Sequence, residues 1–183
     1  YQVLSFDLPE HGERKLDTAY LCKVQNCVKD LKSIIEYAKT SYNGINLWAC
    51  SMGAYFSLLA YKDEKIKQCL FLSPVVNMKI IIDNMMLWSN TTEEELMKKK
   101  EIKTDFGQTL YWDYYLYVKE KPITNWNKKT YILYGSKDNM QNEEIIKSFS
   151  DKFNCELTIL EGGEHYFHTE EQLKYYKEWL KNL

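Results

Sequence analysis

The sequence predicts an α/β fold built on a mostly parallel sheet. Two observations carry that prediction. Short apolar runs bounded by turn residues recur along the chain, and longer stretches with apolar residues every three or four positions separate them. No low-complexity tract or internal repeat interrupts the alternation, which is the pattern of successive βαβ units. One globular domain over residues 1–183 is expected, because that length and a 45% hydrophobic content suffice for a single buried core.

Taken in order, strands are expected at Val3–Phe6, Ile45–Cys50, Cys69–Leu72, Thr130–Tyr134 and Glu156–Leu160. Each is short and apolar, as strands buried on both faces of a parallel sheet must be. Between the first two, Leu21, Val24, Val28, Leu31, Ile34, Ile35 and Ala38 recur at helical spacing and give one apolar face to a crossover helix ending near Gly44. Further helices are expected after Ser51, after Asn139 and after His168, the last carrying Leu173, Trp179 and Leu180 at a helical rhythm. Residues 75–126 break the pattern: the segment is roughly twice as long as the other connections and holds two or three amphipathic stretches, so it reads as a helical insertion. Within it, Thr91 followed by Glu94 makes a capping box, and the lysines at 98–100 suit the C-terminal end of that helix as a solvated face.

Composition excludes several classes. A net charge of −2, from 24 basic and 26 acidic residues, leaves no excess to hold a nucleic acid or an anionic membrane. The five cysteines, at 22, 27, 50, 69 and 155, include no C-x-x-C pair and join no histidine at zinc-ligand spacing, so no metal is implied. Most of them read as small buried apolar residues of a reducing, cytoplasmic compartment. No apolar run approaches the roughly 20 residues that span a bilayer, and the first residues lack the layout of a signal peptide.

The most informative segment is Ile45–Ala60, which reads as buried strand, abrupt turn at Ser51, then helix. A serine at such a turn sits in strained backbone, so the residues two before and two after it, Ala49 and Gly53, are expected to be small because they crowd one another. The turn lifts the hydroxyl above the sheet and leaves the backbone N–H of Met52 free to serve an oxyanion. A serine nucleophile needs an imidazole base, and the imidazole needs a carboxylate to fix its tautomer. Asp138 follows the strand Thr130–Tyr134 after Gly135-Ser136-Lys137, and His165 follows Glu156–Leu160 after Gly162-Gly163-Glu164. Each element also has a plain structural reading: Ser51 or Asp138 as a helix cap, His165 as a buried structural histidine.

These three segments resemble the α/β-hydrolase superfamily: the G-x-S-x-G nucleophile elbow with Ala49 at its first glycine, the G-x-x-D acid turn, and the histidine loop after the last strand. The order serine, acid, histidine is also the family's. His168 is the rival base, and Glu143, Glu144, Glu161 and Glu164 are rival acids that follow no strand at the family position. Asp7-Leu8-Pro9-Glu10-His11-Gly12 resembles the family's D-x-P-G-x-G turn after its fourth strand, with Glu10 in place of glycine, which makes His11 a loop residue rather than a catalytic one.

The resemblance implies an α/β-hydrolase sheet with a small helical cap, residues 75–126, between strands six and seven. Its aromatic residues Trp88, Tyr111, Trp112, Tyr114, Tyr115, Tyr117 and Trp126, with Met78, Met85 and Met86, would line an apolar acyl or aryl pocket as in small-capped carboxylesterases and cinnamoyl esterases; cap helices also need apolar faces for their own packing. The implied function is carboxylic ester hydrolysis through an acyl-enzyme on Ser51, with no cofactor and a small-molecule ester as the partner. Alternatives are a thioesterase or other acyl hydrolase of the same fold, or a non-catalytic binding module. A nucleotide-binding domain is disfavoured, since no Gly-rich phosphate loop follows any strand. The family places a third strand between its fourth and fifth, so the resemblance also implies residues upstream of Tyr1 that supply that strand and a second oxyanion donor.

Overall fold

The computed structural model describes residues 2–16 and 18–183. In chain order its elements are α1 (Val24–Ser41), β1 (Asn46–Cys50), α2 (Ser51–Ala60), β2 (Gln68–Leu72), α3 (Met78–Trp88), α4 (Glu93–Lys99), β3 (Glu101–Lys103), β4 (Thr109–Tyr111), α5 (Trp112–Glu120), β5 (Thr130–Gly135), α6 (Glu143–Phe153), β6 (Glu156–Leu160) and α7 (Glu170–Lys181), with a 3-10 turn at Gly12–Arg14. They fall into two compact units. One takes in the chain up to Asn43, Phe56–Asp63 and Asn77–Thr124; the other is Gly44–Tyr55, Glu64–Val76 and Asn125–Leu183.

The second unit is a four-stranded parallel sheet in the order β1-β2-β5-β6. Its inner strand β5 is buried at every position from Thr130 to Gly135, which explains why that segment is a continuous apolar run rather than an alternating one. Helix α7 buries Trp179 against Tyr131 and Leu133 of β5, with Phe167 completing the cluster and Leu70, Leu160, Tyr176 and Leu180 at its margin. Asn142 and Thr169 cap α6 and α7 by accepting from Ile145 N and Gln172 N, so both helices start where their capping side chains put them.

The first unit holds α1, whose buried face is Val24, Cys27, Val28, Leu31, Ile35 and Ala38, together with the insertion. The insertion contains three helices and also an antiparallel pair, β3 with β4, which the sequence reading did not anticipate. The turn between them carries Gly107 at φ +85. Met78, Ile81, Ile82, Met86, Leu96, Leu110, Tyr115 and Val118 are buried, so many of the apolar residues of this segment serve its own interior.

Three local expectations are corrected. Val3–Phe6 forms no strand; Val3 is 89% exposed and the segment joins no ladder, and apolar, β-branched character without a pairing partner does not make a strand. The capping box lies one residue later than expected. Thr92 is the N-cap of α4, with extended backbone and its hydroxyl accepting from Glu95 N at 3.1 Å, whereas Thr91 exchanges hydrogen bonds with Ser89. The third concerns Gly53: a Cβ there would meet nothing within 4 Å, so no neighbour crowds that position, and the strain at the turn lies in the serine's own backbone.

Candidate active site

Ser51 follows the last residue of β1 directly and opens α2, and the sharpness of that step forces it into the left-handed region at φ +47. The carbonyl of Ser51 accepts from Val75 N at 3.0 Å, which ties the turn to the loop after β2. Met52 lies in the first turn of α2, where backbone N–H groups have no partner within the helix and the positive end of the helix dipole favours negative charge.

Asp138 stands just beyond β5. The turn that holds it is closed by Asp138 N donating to Gly135 O at 2.9 Å, and one carboxylate oxygen, Oδ1, accepts from Met140 N at 2.8 Å. His165 stands beyond β6, after Gly162 at φ +73. The two loops interlock: Lys137 N donates to Gly163 O, Ser136 N to Leu160 O, and Gly162 N to Ser136 Oγ. Gly135 and Gly163 meet face to face, since a Cβ on Gly135 would lie 2.4 Å from the Gly163 carbonyl carbon and oxygen. Only glycine permits that approach.

The three side chains meet in one line. Ser51 Oγ is 2.9 Å from His165 Nε2, and His165 Nδ1 is 2.7 Å from Asp138 Oδ2. The side chains of His165 and Asp138 are 3% and 2% exposed. An ionised carboxylate only accepts, so it fixes the ring proton on Nδ1 and turns the Nε2 lone pair towards the serine hydroxyl, which donates. All three residues belong to the sheet unit and follow the C-terminal ends of parallel strands, where open α/β sheets place their sites.

His168 is elsewhere: its exposed ring contacts the Tyr166 carbonyl at 2.7 Å and Glu164 at 3.3 Å. The His11 ring contacts the Pro9 carbonyl at 2.8 Å, and Glu10 adopts φ +61, the left-handed conformation for which glycine is the usual residue. The anchoring of the loop that follows Asp138 was not readable in the sequence. Gln141, 3% exposed, accepts from Val76 N through Oε1 at 2.6 Å, and its carbonyl accepts from the buried Tyr134 hydroxyl at 2.7 Å. The Asp138-Asn139-Met140 turn was readable as a side chain bonding its own backbone two residues on, but a buried glutamine in a polar loop leaves no periodic signal. Among the described residues no three His, Cys, Asp or Glu side chains are arranged to hold a metal ion, and no helix is long and apolar enough to cross a membrane.

No family model and no curated protein matches the sequence. Solved structures do. Est1E from Butyrivibrio proteoclasticus, with ferulic acid bound, superposes with a TM-score of 0.76 at 21% identity, covering 96% of this chain and 74% of Est1E. Mouse alpha/beta hydrolase domain-containing protein 10 gives 0.70 at 13% identity, with coverage of 96% and 74%. An esterase from Pyrococcus furiosus gives 0.58 at 17%, covering 85% of this chain and 60% of the esterase. With the parallel sheet and its strand-turn-helix step at Ser51, these likenesses establish that the chain has the α/β-hydrolase fold.

Proposed function

We propose that the chain is a serine-dependent hydrolase of carboxylic esters. One observation carries the reading: the hydrogen-bonded line from Ser51 Oγ through the His165 ring to Asp138, at 2.9 and 2.7 Å, with the last two side chains shielded from water. Attack of Ser51 on an ester carbonyl passes the hydroxyl proton to His165 Nε2. Asp138 stays ionised and stabilises the imidazolium. The tetrahedral oxyanion is held by the Met52 N–H, a type of donor worth about a hundred- to a thousand-fold in rate. Collapse expels the alcohol, which takes the proton from His165 and leaves an acyl group on Ser51. Water then repeats the sequence and frees the acid.

The ferulic acid bound to Est1E makes aryl acids the first acyl groups to try. The test is turnover of p-nitrophenyl esters of increasing acyl length, methyl hydroxycinnamates and acyl thioesters. Ester turnover with a burst of the first product is expected. Turnover of thioesters alone would replace the substrate class, and inertness towards the whole panel would overturn the reading.

A further inference from the structure

The first unit holds a second reactive cluster that ester hydrolysis does not use. Cys22 stands two residues before α1 and Cys27 lies in its fourth position; their Sγ atoms are 3.6 Å apart. That is direct contact between two thiols, and closing it to a disulfide bond of about 2.05 Å takes a movement of roughly 1.5 Å. Only four residues separate the pair, so little chain entropy opposes closure. The segment is also held in place: Cys22 N donates to Glu10 Oε2 at 2.6 Å, Asn26 Nδ2 to Leu21 O at 2.9 Å, and Cys27 N to Lys23 O at 3.0 Å.

The two thiols are unequal. Cys22 is half-buried, and the hydrogen bond from the Cys27 thiol holds its pKa below that of an ordinary cysteine; His11 adds to this effect, while burial and Glu10 oppose it. Cys27 is fully buried, and its role as donor to Cys22, together with burial and the nearby Asp30, pushes its pKa up; Arg14 opposes. The His11 ring gives its Nδ1 proton to the Pro9 carbonyl at 2.8 Å, which leaves the Nε2 lone pair to take a proton from a thiol. An accessible, acidified thiol in contact with a buried, protonated one is the arrangement of an attacking and a resolving cysteine.

We propose that Cys22 and Cys27 are a redox-active dithiol that exchanges with small disulfides of the glutathione class. The Cys22 thiolate attacks one sulfur of the small disulfide; the Cys22 S–S bond forms, the small disulfide's own bond breaks, and one small thiol leaves with a proton. Cys27 then attacks Cys22 Sγ, its proton passing to the departing small thiolate. The mixed disulfide breaks, the second small thiol leaves, and the Cys22–Cys27 bond remains. Two protein thiols are oxidised and one small disulfide is reduced to two thiols.

The full chain is equilibrated with mixtures of reduced and oxidised glutathione, quenched with acid, alkylated, and mapped by mass spectrometry without reduction. A Cys22–Cys27 disulfide that forms as the mixture becomes oxidising and disappears with dithiothreitol is expected. In Cys27→Ser the reaction should stop at glutathione on Cys22, formed at least about tenfold faster than on Cys50 or Cys155. Both thiols still alkylatable after Cys50 has been modified, or Cys22 in the variant reacting no faster than Cys50, would overturn the proposal. If Cys27→Ser does not fold, the titration of the unmodified chain decides.

Discussion

At Ser51 the left-handed backbone conformation, φ +47, is maintained by the step from strand to helix, not by the hydroxyl, so Ser51→Ala is predicted to fold normally and to lose ester turnover. Residual kcat should be below about one part in a thousand, because loss of a nucleophile removes the covalent route entirely. Asp138→Asn tests a different atom. An amide presents an N–H as readily as an oxygen to His165 Nδ1, so the ring proton moves to Nε2 and the serine loses its acceptor; a fall of about ten-thousand-fold in kcat with KM little changed is expected in steady-state kinetics. The places of Ser51, Asp138 and His165 at the C-terminal ends of apolar strands were readable in the sequence, Ser51 directly after its strand and the other two after glycine-containing turns. Gln141 and Tyr134 were not, since what makes them matter is burial and a hydrogen bond to a neighbouring loop, neither of which has a sequence period.

The ends of β5 and β6 are joined through backbone, and one substitution probes that join. Gly135→Ala places a methyl group 2.4 Å from the Gly163 carbonyl, so the acid turn and the histidine loop must separate. Overpacking of this kind costs about 1–3 kcal/mol, and kcat is expected to fall further than the denaturation midpoint suggests, because Asp138 and His165 move apart. Thr92→Ala is the contrasting case. It removes the cap of α4, costs about 1 kcal/mol in chemical denaturation and leaves kcat unchanged. The four parallel strands were legible as short continuous apolar runs, and the long helices by apolar residues recurring every three or four positions. β3 and β4 were not, being three residues each, too short to show alternation, although Gly107 marked the turn between them. Val3–Phe6 misled for the opposite reason: its composition suits a strand, but a strand needs a neighbour to share its hydrogen bonds.

Across the whole molecule, four parallel strands converge their C-terminal loops on one edge of the sheet, and that topology brings residues 51, 138 and 165 together from distant parts of the chain. The insertion between β2 and β5 interrupts the sequence but not the sheet, since Cys69–Leu72 pair directly with Thr130–Leu133. The alternation of strands and helices made that order readable, whereas how the insertion packs within itself depends on side-chain volumes that no pattern encodes. Whether this convergence makes an activated nucleophile is answered most directly by treating the folded chain with a fluorophosphonate and mapping the modified residue by mass spectrometry. A single phosphonyl group on Ser51, absent from Ser51→Ala and greatly slowed in His165→Ala, is predicted. An unlabelled protein, or a label that persists in Ser51→Ala, would contradict it.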